Sequence, residues 1–81
     1  MTPFDSYIAQ AAIELRTKSQ RDIQRETALV WAGRACAAQM IGLQRDATEY
    51  AHESIEHAAL SGDDALLCGA RQLFQSCGIV L

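Results

Sequence analysis

The chain has few residues that interrupt helices. It contains one proline, Pro3, and five glycines among 81 residues. A β-sheet domain needs frequent turns, and turns draw heavily on glycine and proline. The β-branched residues are also scattered rather than grouped into alternating runs. We therefore expect an all-α fold, and a single domain over residues 1–81, because a chain of this length has material for only one core.

Apolar spacing and end signals divide the chain into four predicted helices. Thr2 and Pro3 suit the start of the first, and Ser19 followed by Asp22 resembles a capping box that would start the second. Asp63 suits the cap position of the fourth. The predicted helices cover residues 3–18, 19–41, 46–60 and 64–77. They are expected to form a compact four-helix domain, with bundle-like or orthogonal packing.

The second predicted helix is apolar on most of its circumference, which is typical of a buried helix. One stripe contains Ile23, Val30, Ala37 and Ile41, and a neighbouring stripe contains Leu29, Gly33, Cys36 and Met40. Alanines at 28, 32 and 35 fill much of the remainder. We expect this alanine-rich helix to be the central element. In the first helix, the expected apolar stripe is Phe4, Ile8, Ala11, Ala12 and Leu15.

The third predicted helix separates small residues from charged ones. Its inward stripe is Ala47, Ala51, Ser54, Ile55 and Ala58. Its opposite, solvated face carries Glu49, His52, Glu53 and Glu56. The fourth helix is expected to turn Leu66, Leu67, Ala70, Leu73 and Phe74 inward. After the stop at Gly78, the apolar residues 79–81 either fold back on the core or are offered to a partner.

Charge is unevenly distributed along the chain. The formal net charge is −3; residues 1–45 hold six Lys/Arg and four Asp/Glu, whereas residues 46–81 hold Arg71 alone and six acids. Direct nucleic-acid binding needs a clustered basic face, which this balance does not supply. It favours a protein or ribonucleoprotein partner with a basic surface. The candidate partner-binding residues are Glu49, His52, Glu53, Glu56, Asp63 and Asp64.

Metal binding and catalysis are weaker interpretations. Glu49 and His52 have the Glu-x-x-His spacing of di-iron bundles, but those sites need the motif on two helices, so only a homodimer could complete one. The three cysteines form no Cys-x-x-Cys pair, and we interpret all three as small core residues. The sequence has no glycine-rich phosphate loop or nucleophile elbow. We expect no enzyme activity, no cofactor and no metal.

The N-terminal residues lack the basic and apolar regions of a secretory signal, and no apolar run approaches the roughly 20 residues that span a bilayer. A cytoplasmic location in a bacterial host cell is therefore expected, without membrane association.

Two resemblances bear on function. Residues 26–35 and 47–59 resemble segments of small helical proteins carried by phages and prophages of proteobacteria, which implies a counter-defence role such as that of the anti-CRISPR inhibitors. Trp31, Ala35, Gly42, Ala47 and Ser54 are similar in order to the large and small positions of one tetratricopeptide repeat. That resemblance implies a chaperone or structural subunit that buries a partner helix.

Together, these observations predict a non-enzymatic protein–protein interaction module. The expected function is that of a phage-type inhibitor or adaptor that binds a bacterial nucleic-acid-handling complex through an acidic helix face.

Overall fold

A computed structural model describes residues 4–81, except for the side chains of residues 18 and 19. These residues form three helices instead of the four expected: α1 (Asp5–Met40), α2 (Gln44–Ser61) and α3 (Asp64–Ser76). The all-α prediction is confirmed. The molecule is elongated rather than compact, with extents of 61 × 17 × 12 Å.

The expected boundary at Ser19 does not exist, because α1 continues through it as one helix of 36 residues. No glycine or proline lies between Pro3 and Gly33. A capping box can stabilise a helix start, but it does not force the preceding chain out of the helical conformation. Residues 20, 21, 24 and 25 are good helix formers, so the helix is extended through them. The predicted start at Thr2 and Pro3 lies outside the described residues.

The C-terminal ends of the helices and the start of α3 agree closely with their sequence signals, whereas α2 begins at Gln44 instead of the expected residue 46 and has no side-chain hydrogen bond at its N-cap Leu43. Gly42, Gly62 and Gly78 adopt positive φ angles of 84°, 73° and 80° just after α1, α2 and α3. Such angles cost little for glycine, which has no Cβ. Asp63 accepts a hydrogen bond from the backbone N–H of Leu66 at 3.0 Å and caps α3 as predicted. Local backbone chemistry therefore ends each helix.

The core is a seam of small residues between α1 and α2, closed at one end by α3. Ala35, Ala47, Ala51 and Ala58 are fully buried, and Phe74 of α3 is the largest fully buried side chain. Ile79 folds back against this cluster, and its backbone N–H donates to the Phe74 carbonyl. Val80 and Leu81 stay 80% and 50% exposed. The tail, residues 79–81, therefore packs on the core through Ile79 alone among its three residues.

The predicted interior of α1 is wrong. The residues that pack against α2 are the alanines Ala28, Ala32, Ala35 and Ala38. The larger residues of the expected stripes, including Ile23, Leu29 and Val30, are more than half exposed. Small side chains let two helices approach closely. Because α2 also has a stripe of small residues, α2 packs against the alanine face of α1. In the expected inward set of α3, Ala70 and Phe74 are buried, whereas Leu73 is 43% exposed.

Candidate interaction surfaces

The candidate residues on α2 lie on its solvent side. Glu49, His52, Glu53 and Glu56 are all exposed, while Ala47, Ala51, Ser54 and Ala58 are buried on the opposite side of the same helix. The predicted division of α2 into a small-residue face and a charged face is therefore confirmed. Glu49, Glu53 and Glu56 follow one another at spacings of four and three residues, so they form one line along the helix. We call this line the acidic face.

Two carboxylates of the acidic face have cationic or titratable neighbours on α2 itself. Glu49 lies 3.7 Å from the guanidinium of Arg45, and Glu53 lies 3.8 Å from Nε2 of His57. Both are i,i+4 pairs; the Arg45–Glu49 pair is exposed, so it adds little stability, whereas His57 is partly buried. His57 Nδ1 also lies 2.6 Å from Oε1 of Gln24, which links α2 to α1. Among the described residues, Glu56 forms no ion pair.

Asp63 and Asp64 lie beyond the end of α2 and are separate from the acidic face. Asp63 caps α3 and pairs with Arg25 of α1 at 3.3 Å, so its carboxylate already has structural contacts. Asp64 is exposed in the first turn of α3 and forms no ion pair within residues 4–81. The structure therefore divides the six candidate residues into a line on α2 and a pair at the α2–α3 turn.

A groove runs between α2 and α3 beside the acidic face. It has a volume of about 680 Å³, and its walls combine apolar and charged side chains. The residues that line it are His52, Ile55, Glu56, Arg71, Gln75, Ile79 and Leu81. The sequence indicated His52 and Glu56 but not the contribution of Arg71 and Gln75. Their i,i+4 spacing on α3 was the available signal, but it could not show which helix they would face.

The most extensive exposed apolar surface is on α1, on the side opposite the alanines. At about 100° per residue, this second face lies roughly 180° around the helix from the face that α2 covers. We call it the back stripe. Its large residues, which are between 55% and 86% exposed, are Phe4, Ile8, Leu15, Ile23, Val30, Met40 and Ile41. Asp22 and Glu26 interrupt it near the middle of the helix.

Trp31 is partly buried and lies in a three-residue cluster at the seam. The rings of Trp31 and Tyr50 have their centroids 5.4 Å apart at an interplanar angle of 35°. The guanidinium carbon of Arg34 lies 5.1 Å from the Trp31 centroid, within cation–π distance. This cluster joins α1 to α2 at the edge of the core.

The cysteines differ from the prediction that all three belong to the core. Cys68 is exposed, whereas Cys36 and Cys77 are partly buried with their Sγ atoms 3.7 Å apart. Burial raises the pKa of the Cys36 thiol, and the hydrogen bond and charge of Cys77 act in the same direction. No three of the described His, Cys, Asp and Glu side chains lie close enough together to hold a metal ion. No helix among the described residues has the length and apolar character needed to cross a bilayer.

Comparison of the chain with protein-family models, with curated proteins and with solved structures finds no match. The resemblances to phage proteins and to tetratricopeptide repeats stay predictions.

Proposed function

We propose that the protein is a non-enzymatic interaction module that pairs with a second copy through the back stripe of α1 and binds a basic partner through the acidic face of α2. The observation that carries this proposal is the two-sided apolar character of α1. One side packs against α2 through Ala28 to Ala38, and the large apolar residues described on the other side are more than half exposed.

The back stripe is a large unused source of binding energy. Burial of one large aliphatic or aromatic side chain contributes about 1.5–3 kcal/mol, and the stripe offers seven such side chains along α1 and its two cap residues. Scattered apolar residues on a surface need no explanation, but large apolar residues that recur on one side of a helix, before and after Asp22 and Glu26, are typical of an interaction site. The outer half of α1 also has no neighbour, since every described side chain from residue 4 to residue 23 is exposed.

A second copy of the chain fits the back stripe because the N-terminal half of the stripe complements the C-terminal half. In an antiparallel pair of α1 helices aligned about their midpoint, Leu15 lies opposite Val30 of the second copy. Ile8 then lies opposite Ala37, and Ala12 opposite Gly33. In these three pairs only small or aliphatic residues meet, whereas at the centre of the same alignment Ile23 lies opposite Asp22. The contact is isologous, so one sequence supplies both surfaces and the assembly closes at two copies.

Dimerisation through the back stripe would leave the acidic face open. Because α2 covers the opposite side of α1, the carboxylates of Glu49, Glu53 and Glu56 point away from the second copy. The partner class that fits this surface is a protein with clustered Lys and Arg, such as a bacterial nucleic-acid-handling complex. Complementary charge of this kind speeds association and selects partners more than it adds affinity. An inhibitor or adaptor of such a complex is the function that we propose.

The oligomeric state tests the first half of the proposal. Sedimentation or light scattering should give a dimer for the wild type and a monomer for the double variant Leu15→Glu/Val30→Glu, with helical circular dichroism retained. Leu60→Glu is the matched control, because Leu60 is an equally exposed leucine that belongs to α2 and not to the back stripe (63% against 66% for Leu15). A wild-type monomer at hundreds of micromolar, or dissociation of the Leu60→Glu variant as well, would contradict the pairing.

Partner capture tests the second half. Immobilised wild-type protein should retain a basic protein or ribonucleoprotein from a bacterial lysate. Retention should fall at least tenfold for Glu53→Lys and Glu56→Lys, which reverse charge on the acidic face. Glu14→Lys makes the same change on the outer part of α1 and should retain the same material as the wild type. Equal loss from all three variants would indicate non-specific charge attraction instead.

A further inference from the structure

The Cys36 and Cys77 thiols are brought together by tertiary structure alone. Cys36 lies on α1, and Cys77 is the C-cap residue of α3, 41 positions later in the chain. Their Sγ atoms are 3.7 Å apart, and both side chains are partly buried. A disulfide requires about 2.05 Å, so the two sulfurs need to approach by roughly 1.7 Å, a distance within reach of side-chain rotation.

We propose that Cys36 and Cys77 form a reversible thiol–disulfide latch between α1 and the end of α3. The oxidant is a low-molecular-weight disulfide, such as oxidised glutathione. This inference does not depend on dimerisation or on the acidic face.

The chemistry is a two-step exchange. One cysteine loses its proton to solvent, and the resulting thiolate attacks a sulfur of the oxidant. The oxidant's S–S bond breaks, and its leaving thiolate takes up a proton. The second cysteine then loses its proton and attacks the mixed disulfide at the protein sulfur, releasing the second thiol. Two protein thiols are oxidised by two electrons, and one disulfide is reduced to two thiols.

The position of the pair determines what the latch would control. α3 packs mainly on α2, and an apolar cleft of about 210 Å³ lies between α1 and α3, lined in part by Leu29, Leu66 and Leu73. A bond at Cys77 would tie the far end of α3 to α1 and so fix one end of this cleft. It would also hold the tail that follows, where Gln39 donates to the Gly78 carbonyl and Thr48 to the Val80 carbonyl.

The tail supplies Ile79 and Leu81 to the α2–α3 groove. The oxidised protein should therefore keep the groove in one shape, whereas in the reduced protein only the packing of Ile79 and the hydrogen bonds to Gly78 and Val80 hold the end of α3. Cys68 offers an internal comparison, since it is exposed on α3 and none of the described cysteines lies beside it.

The test uses the full chain with Cys68→Ser, which leaves only the proposed pair. After incubation with oxidised glutathione and alkylation under denaturing conditions, the intact mass should show loss of two hydrogens with no alkyl group and no glutathione attached. The variants Cys36→Ser/Cys68→Ser and Cys77→Ser/Cys68→Ser should instead keep a single glutathione or alkyl group. The oxidised Cys68→Ser protein should melt roughly 10 °C higher than its reduced form, because the bond closes a long loop.

Two results would overturn the latch. The first is oxidation that yields glutathione adducts or disulfide-linked dimers of the Cys68→Ser variant in place of the internal bond. The second is a melting temperature for the internally oxidised form that is no higher than that of the reduced form. Repeating the oxidation in urea shows whether the bond forms because the fold holds the two thiols together or because the thiols are reactive in any conformation. If the fold is the cause, the internal bond should form at least tenfold more slowly in the unfolded chain.

Discussion

Ser54 donates its hydroxyl to the backbone carbonyl of Ala28 at 2.7 Å, across the buried seam between α2 and α1. Ser54 is 1% exposed, so this hydrogen bond forms without competition from water. It joins the two helices at a point where both side chains are small. A larger polar residue could not occupy the seam, and an apolar residue of the same size would leave the hydrogen bond unmade.

Replacement of Ser54 should separate the hydrogen bond from packing. We expect Ser54→Ala to lower the free energy of unfolding by about 1 kcal/mol, the usual net value of one buried hydrogen bond. Ser54→Leu should cost roughly 1–3 kcal/mol more, because it forces extra atoms into a close-packed seam. Urea unfolding followed by circular dichroism measures both. Equal stability of the two variants would mean that the seam is looser than the structure shows.

Ala58 and Ala59 provide a matched test of the close helix contact. Ala58 is fully buried against α1, whereas its neighbour Ala59 is exposed on α2. The two positions share a helix and have similar intrinsic helix preferences. We expect Ala58→Leu to destabilise the fold by roughly 1–3 kcal/mol through overpacking. Ala59→Leu should stay within about 0.5 kcal/mol of the wild type. This prediction is contradicted if thermal unfolding shows Ala59→Leu to be less stable than Ala58→Leu.

Gly33 and Gly42 differ only in backbone conformation. A Cβ at either position would meet no atom within 4 Å, but Gly33 is helical and Gly42 has φ of +84°. Gly33→Ala should raise the free energy of unfolding by about 0.5–1 kcal/mol, the difference in helix propensity. Gly42→Ala should lower it by about 1 kcal/mol, because the left-handed conformation strains a residue with a Cβ. The measurement is the urea midpoint at low protein concentration, where association through the back stripe does not contribute.

Asp63 should stabilise α3 more through its cap than through its ion pair. Asp63→Ala removes the acceptor for the Leu66 N–H and should cost about 1 kcal/mol. Asp63→Asn keeps an acceptor oxygen and should recover most of that loss. Arg25→Ala removes only the ion pair with Asp63, and the Arg25 side chain is 54% exposed, so little change is expected. If Arg25→Ala proved as damaging as Asp63→Ala, the ion pair would be the larger contribution.

The ends of the helices and the polarity of α2 could be predicted from the sequence because both depend on short-range chemistry. Gly42, Gly62 and Gly78 end helices through backbone conformation at a single residue, and Asp63 caps α3 by accepting from the N–H of Leu66, three residues later. The charged and small-residue faces of α2 follow from helical spacing alone. The same reasoning failed at Ser19, because a motif that favours a helix start has no effect where nothing stops the preceding helix.

The choice of which face of α1 to bury was decided only by tertiary structure. α1 has two apolar sides, and its sequence pattern is compatible with burial of either one. α2 carries alanines and a serine, and close approach of two small-residue surfaces selects the alanine side, leaving the larger residues of the back stripe outside. The packing of α3 brings Cys77 beside Cys36 and places Arg71 in the same groove as Glu56, relationships that no local spacing predicts. Local chemistry thus determined where the helices end, whereas complementarity of size between helices decided which surfaces remain available for partners.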